Sequence, residues 1–244
     1  MPKSRADEIL RIKGLAPSRS AAQNLIKNNQ VFLADGTQIR KPSQMLDDNC
    51  TFRLSAEQQY VSRGALKLAA ALNAFKPDIN GKIALDLGAS TGGFTQLLLQ
   101  NGAAKVYAVD VGTDQLHPTL KADTRVVSLE KTNAKELTQQ LITEKIQVLT
   151  GDLSFISLTK VLPVCPPLLD NSFCAILLIK PQFEAGREQI GSGGVVRSEQ
   201  VRQQCIKNVV EFAQSQLGWI HHRTIPSPIL GQNGNQEYLA YFTN

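Results

Sequence analysis

The sequence has little with which to ligate a metal. Its four cysteines stand at positions 50, 165, 174 and 205, and no two form a C-x-x-C pair. Its three histidines, His117, His221 and His222, lie near none of them in sequence. That spacing argues against a zinc site, and a chain of 244 residues does not depend on a disulfide framework. Four reduced cysteines fit a cytoplasmic protein. Long apolar runs are also missing. "FCAILLI" at 173–179 is one of the longest, and it is far short of the ~20 residues a membrane helix needs. It reads as a buried strand. "MPKSRADEIL" has no apolar h-region and no small-residue cleavage site, so no secretory signal is expected.

What is present is an ordinary soluble composition. The apolar fraction is 42%, and the length suits one large domain, or a small one plus a medium one. The net charge of +5 and the pI near 9.0 lean toward an anionic partner. Charge of this size gains meaning only where it is localised. In the first thirty residues Lys3, Arg5, Arg11, Lys13, Arg19 and Lys27 face only Asp7 and Glu8.

Those residues belong to a miniature unit. "RADEILRIKG" has helical apolar spacing and a plausible C-cap at Gly14. Ser18 can cap a second helix with Ala21, Ala22, Leu25 and Ile26 on one face. "QVFLADGTQI" reads as strand, Asp-Gly turn and strand, and "CTFRLS" as another strand. The run Arg5, Asp7, Leu10, Gly14, Leu15, Ser18, Arg19, Ala22, Val31 and Gly36 resembles the S-four RNA-binding domain. Ala6 and Asn29 depart from that pattern, and neither removes a basic residue. The resemblance implies that residues 1–59 bind structured RNA by shape and phosphate contact, with Arg5, Arg11, Lys13, Ser18, Arg19 and Lys27 on the RNA.

Residues 60–244 read as a second domain. "YVSRGALKLAAALNAF" is a helix with an apolar stripe of Ala65, Leu68, Ala69, Leu72 and Phe75, and Lys67 lies off that stripe. From residue 82 apolar strands alternate with helices, which implies an α/β fold with a mainly parallel, Rossmann-like sheet. "SLTKVLPVCPPLL" reads as a helix broken at proline. The last two strands, "WIHHRTIP" and "QEYLAYFT", lack a helix between them and suggest an antiparallel edge.

"ALDLGASTGGFT" at 84–95 joins a strand to a helix through glycines, the usual place for a ligand in such a sheet. Asp110 follows about twenty residues beyond that loop, where an acid can bind ribose hydroxyls. A dinucleotide and S-adenosylmethionine both satisfy this pattern. Asp86 would repel a pyrophosphate, and Ser90 stands where the dinucleotide loop has its second glycine. Both favour the phosphate-free, cationic cofactor. A glycine turn with no ligand is the alternative. The expected contacts are Asp86, Gly88, Ser90, Thr91, Gly92, Gly93, Phe94, Asp110, Val111 and Asp152.

Four polar residues stand where catalytic groups occur: Lys67, Asp152, Lys180 and Glu237. Lys180 ends a very apolar strand, where a buried and unpaired charge is costly. The alternative is that it simply emerges into solvent. Taken with "YVSRGALKL", "VYAVDVG", "SFISL", "IKPQFEAGRE", "GGVVR" and "GNQEYL", in that order, the chain resembles the TlyA family. That family joins an S-four domain to an FtsJ-like methyltransferase domain and is often labelled hemolysin A. Departures are Ala65 for a glycine, Gly151 and Leu153 around the acid, and a variant "GTDQLHPTL".

The resemblance implies a methyltransferase that uses S-adenosylmethionine on the ribose 2′-hydroxyl of ribosomal RNA, at cytidine. It implies Lys180 as base, Lys67 as the neighbouring cation, and Asp152 and Glu237 as groups that orient and balance the lysines. A lysine can act so only if burial and a nearby cation favour its neutral form. Arg63, Arg187 and Arg197 are candidates for RNA phosphate contacts. No metal and no membrane are expected. A lytic protein, an RNA-binding module with an inactive site, and a nicotinamide oxidoreductase remain as competing readings. A cysteine nucleophile at Cys165 is disfavoured, because it falls inside an expected helix away from any strand end.

Overall fold

Short helices and short strands alternate from the first described residues. The computed structural model describes residues 3–27, 30–54 and 60–244. Contacts divide the chain into two units, Met1–Tyr60 and Val61–Asn244. Asn29 and the segment 55–59 lie outside the described residues.

In the first unit, β1 (Lys3–Arg5) leads into α1 (Ala6–Ile12) and α2 (Arg19–Lys27), followed by β2 (Val31–Leu33), β3 (Met45–Asp47) and β4 (Phe52–Leu54). Gly14, with φ +71°, follows α1. The Ser18 hydroxyl accepts the Ala21 N–H at 3.1 Å and caps α2. Leu10, Ala22, Ile26, Val31 and Ile39 make the core. The expected Asp-Gly hairpin is reduced to one bridge, Phe32 to Gln38. The ladder partner of β2 is β4, and β1 pairs with β3. Ile39 is buried in the core, and Pro42 has no N–H to extend a ladder.

In the second unit, α3 (Ala65–Phe75) precedes β5 (Ile83–Leu87), α4 (Gly93–Gln100), β6 (Lys105–Val109), α5 (Pro118–Lys121), β7 (Val126–Leu129) and β8 (Ile146–Gly151). Then come β9 (Leu169–Ile179), α6 (Pro181–Glu184), α7 (Glu199–Leu217), β10 (Ile220–Pro226) and β11 (Tyr238–Thr243). Seven strands form one sheet in the order β10-β11-β9-β8-β5-β6-β7. β9, β8, β5, β6 and β7 are parallel, and β11 pairs antiparallel to both β9 and β10. This is the expected α/β architecture, a Rossmann-like sheet preceded by a small N-terminal unit.

Both faces of the sheet are covered. Ala84, Leu85 and Leu87 are all buried, although alternate residues of a strand point to opposite faces. Residues Phe173–Ile179 of β9 are buried without a break, which is why that stretch reads as a continuous apolar run. Each large aliphatic chain so buried contributes roughly 1.5–3 kcal/mol before entropy is counted. Ser198 caps α7 through the Val201 N–H at 3.4 Å, and Gly218, with φ +72°, ends it. The expected helix over 157–169 is instead three 3₁₀ turns, Leu158–Lys160, Leu162–Val164 and Pro166–Leu168. Pro163, Pro166 and Pro167 cannot donate the bonds a helix needs there.

Register sets the site. Leu87 lies beside both Val109 and Gly151, so Gly88, Asp110 and Asp152 leave the sheet at one edge. Ile179 pairs with Tyr238 in the antiparallel ladder. The chain therefore leaves β9 at Lys180 where it enters β11 from Glu237.

Candidate active site

Lys67, Asp152, Lys180 and Glu237 meet in one connected network at that edge. Lys67 Nζ donates to Glu237 Oε2 at 2.6 Å and lies 3.8 Å from Asp152 Oδ2. Lys180 Nζ lies 2.5 Å from Asp152 Oδ1. Asp152 thus stands between two lysines, and two cations face two carboxylates. Lys67, Lys180 and Glu237 are buried. The helical stripe had left Lys67 on the open side of α3, but the structure turns it inward beside buried Leu68 and Ala71. Tertiary pairing supplies the partners that make this burial tolerable.

Two side chains absent from the sequence-based set complete the network. Ser154 Oγ accepts from Lys180 Nζ at 2.8 Å. Gln182 Nε2 donates to Glu237 Oε1 at 3.0 Å. Both flank predicted residues in "GDLSF" and "IKPQF". Nothing in their residue type separates them from ordinary loop residues, so proximity in sequence was the available signal.

The network lines a cavity of about 540 Å³ with Gly88, Ser90, Thr91, Gly93 and Phe94. Arg63, exposed, also lines it. A smaller cavity of about 280 Å³ opens beside Asp110, Val111, Asn133 and Phe155. Gly88, Ser90, Asp152 and Ser154 belong to both.

The glycine loop is shaped by close approach. Gly88 has φ +80°, and a Cβ there would lie 2.6 Å from the Asp152 carbonyl oxygen. Ser90 takes a left-handed conformation, φ +48°, and its N–H donates to Asp110 Oδ2 at 2.8 Å. The Gly112 N–H donates to Asp110 Oδ1 at 2.7 Å. Asp110 is thereby held rigid at the end of β6, and each oxygen keeps a further lone pair for a hydroxyl.

Two of the expected cofactor contacts are placed elsewhere. Asp86 is fully buried and lines neither cavity. Its carboxylate accepts from Thr95 Oγ1 at 2.7 Å and Thr150 Oγ1 at 3.0 Å, tying β5 to α4 and β8. Burial pushes its carboxyl up to about 6, against the two threonine bonds. Its position inside the sheet, before the strand's last residue, keeps it from the ligand face. Gly92 also lines neither cavity. Its φ of +97° begins α4, and a side chain there would strike Leu116 and Leu120.

The smaller cavity fits S-adenosylmethionine. Val111 and Phe155 are 70% and 84% exposed, so two large apolar side chains flank the slot without cover of their own. No lysine or arginine lines it, and Asp110 and Asp152 do. A pyrophosphate would meet two acids and no lining cation there, since the lysines beside Asp152 face the larger cavity, whereas a ribose and a sulfonium are suited.

The remaining expected residues spread over the surface. Arg187 is exposed outside both cavities. Exposed Arg197 lines a separate groove with Arg202 and Tyr238. Cys165 is buried, and burial pushes its thiol up to about 12, so it is no nucleophile. Among the described residues no His, Cys, Asp and Glu cluster could hold a metal.

In the first unit Asp7 is buried, and Arg5, Arg19 and Gln23 all donate to it. The Arg5 guanidinium holds its carboxyl well below the usual carboxylate range, against burial and with help from Gln23 and Arg19. Arg5 and Arg19 thus each spend part of their donor set on the fold, though their side chains stay 39% and 49% exposed. Arg11 pairs with Glu8 at 2.8 Å. Lys13, Ser18 and Lys27 are exposed.

Comparison with known proteins bears on the fold and the family. A family model described as FtsJ-like methyltransferase matches residues 60–244. A Mycobacterium tuberculosis protein described as "16S/23S rRNA (cytidine-2'-O)-methyltransferase TlyA" is 43% identical over 241 residues, covering 98% of this chain and 89% of its own length.

The chain belongs to the TlyA family.

Other members include "Hemolysin A" of Brachyspira hyodysenteriae, 41% identical over 98% of this chain and 99% of its own. A solved structure described as a hemolysin from Streptococcus thermophilus superposes with a TM-score of 0.77 at 40% identity, covering all of this chain and 89% of that one. The TlyA-family chain described here uses S-adenosylmethionine as its cofactor, in keeping with its FtsJ-like domain. No helix among its described residues is long and apolar enough to cross a membrane.

Proposed function

We propose that this protein methylates a ribose 2′-hydroxyl of ribosomal RNA, at cytidine, with S-adenosylmethionine as donor. The observation that carries the reading is the connected set Lys67, Asp152, Lys180 and Glu237 at the strand ends beside the glycine loop, with Lys180 buried and the second cation, Lys67, on the other side of Asp152. When bound, the cofactor supplies a methyl group on a sulfonium.

The protein's own task is to take a proton and hold an oxygen in line. A 2′-hydroxyl is a poor nucleophile and must lose its proton as it attacks. Lys180 receives that proton, and Asp152 stabilises the ammonium that results. Lys67 and Glu237 fix the far side of Asp152 and the wall of the cavity. Gly88, Ser90 and Asp110 would hold the donor, with Val111 and Phe155 as apolar walls for its base. Alignment of the reacting atoms then accounts for the remaining acceleration. Relatives described as rRNA (cytidine-2'-O)-methyltransferases support the substrate class. The basic first unit, residues 1–59, grips the RNA, with Lys13, Lys27 and the exposed faces of Arg5 and Arg19 on phosphate. On the second unit, exposed Arg63, Arg187 and Arg197 are further candidates for phosphate contacts.

The test is transfer of labelled methyl from S-adenosylmethionine to ribosomal RNA, isolated subunits and intact ribosomes, with nuclease mapping of the product. Label at one ribose 2′-oxygen is expected. Absence of label from all three would overturn the proposal.

A further inference from the structure

We infer that Ser154 is a positioning residue for methyl transfer, acting through Lys180. The inference rests on Lys180 being the proton acceptor.

To take a proton, Lys180 must present a nitrogen lone pair to the hydroxyl. A neutral amine carries two N–H bonds and one lone pair. If the two protons find fixed acceptors, the lone pair has one direction left. Two oxygens stand against Lys180 Nζ: Ser154 Oγ accepts a hydrogen bond at 2.8 Å, and Asp152 Oδ1 is the ion-pair partner at 2.5 Å. Asp152 by itself would leave the second N–H and the lone pair free to exchange between the two remaining positions about the Cε–Nζ bond. Ser154 removes that freedom. As the hydroxyl proton passes to Nζ, the oxygen–carbon bond forms and the sulfur–carbon bond breaks. The products are a methyl ether, a thioether and a Lys180 ammonium that keeps both bonds.

Two further features support the assignment. Ser154 lines both cavities, so its hydroxyl stands at the junction of the cofactor slot and the reaction chamber. The residue after it, Phe155, has φ +64°. A bulky side chain in the left-handed region costs about 1–2 kcal/mol. Strain of this kind persists where the surrounding structure requires it. Here it falls at the residue that follows Ser154, between β8 and the 3₁₀ turn Leu158–Lys160.

The test compares Ser154→Ala and Ser154→Thr with the unaltered protein. Rates are measured by labelled methyl transfer to ribosomal subunits, and cofactor affinity by titration with S-adenosylhomocysteine. Ser154 is exposed, so neither variant should impair folding. For S154A, kcat is expected to fall about 10–100-fold while KM for the subunit and S-adenosylhomocysteine affinity stay within about 3-fold. S154T restores the acceptor and should recover most of the loss. S154A within about 3-fold of the unaltered kcat overturns the assignment. So does a loss of S-adenosylhomocysteine affinity as large as the loss of kcat, which would make Ser154 a cofactor contact. Failure of S154T to recover activity also counts against it. If the unaltered protein methylates no RNA, the proposed function itself fails, and this inference fails with it.

Discussion

Lys67 and Glu237 lie 170 positions apart in the chain, and their charged ends meet at 2.6 Å inside the protein. The contact anchors α3 to the start of β11 beneath the reaction chamber. It also keeps Lys67 from moving fully onto Asp152, which stands 3.8 Å away on its other side. With Glu237 removed, Lys67 would compete with Lys180 for Asp152. Glu237→Gln is therefore expected to lower kcat about 10²-fold, or ~2.7 kcal/mol. The double variant Lys67→Met with Glu237→Gln should cost far less than the sum of the single changes. Additive losses in a steady-state cycle would show that the two act independently.

Lys180→Ala removes the proposed proton acceptor and leaves the glycine loop and Asp110 untouched. Methyl transfer should fall at least about 10³-fold. S-adenosylhomocysteine binding, measured by calorimetry, should change less than about 3-fold. Activity near that of the unaltered protein would remove Lys180 from its assigned role.

Gly88 is the loop position least able to carry a side chain. A Cβ there would meet the Asp152 carbonyl oxygen at 2.6 Å, in a backbone region that already penalises L residues. The clash falls on the backbone of Asp152 itself, so two properties should fail together. Gly88→Ala is expected to lose S-adenosylhomocysteine affinity about 10-fold or more and to lower stability by about 2 kcal/mol. A variant that binds normally but is inactive would mean that only Asp152 had moved.

Asp86 makes stability depend on pH in the sense opposite to most acids. Its folded value of about 6 lies above the ordinary carboxylate value. Between pH ~4 and ~6 the folded protein therefore holds a proton that the unfolded chain has released. The stability this contributes is complete below pH ~4 and is lost as pH rises through about 6, by on the order of 3 kcal/mol. Asp86→Asn keeps a group able to bond Thr95 and Thr150 without the charge. Tm measured from pH 4 to 8 should show a flatter profile in that variant. An unchanged profile would exclude Asp86 as its source.

Asp7 behaves in the usual sense. Arg5 holds it ionised far below the ordinary carboxylate range. Its contribution is present above that range and is lost as pH falls toward the folded value. Asp7→Ala leaves Arg5, Arg19 and Gln23 without their shared acceptor. A loss of about 1–3 kcal/mol is expected, less than for a fully buried pair because both arginines are partly solvated. Hydrogen exchange should show faster exchange in residues 3–54 with little change in β5–β9. Uniform change across both units would contradict a local role.

The sequence by itself determined much of this protein. Apolar strands alternating with helices required a covered parallel sheet, because a run such as 173–179 can be buried on both faces only there. Gly88 and Asp110 were legible because a ligand turn needs small residues and an acid at fixed places along the chain. Lys180 was legible because a lysine ending an apolar strand requires an explanation. Tertiary structure alone decided what no local pattern encodes. It put Lys67 inward against the helical stripe, since its partner Glu237 comes from the far end of the chain. It withdrew Asp86 from the ligand into the sheet, where Thr95 and Thr150 hold it. It drew Arg5 and Arg19 partly onto Asp7. It brought Ser154, an unremarkable loop serine in the sequence, to the amine of Lys180. Periodicity reports which face a residue occupies along its own element. Which charge it meets there depends on strand order and register, and these arise from contacts between segments far apart in the chain.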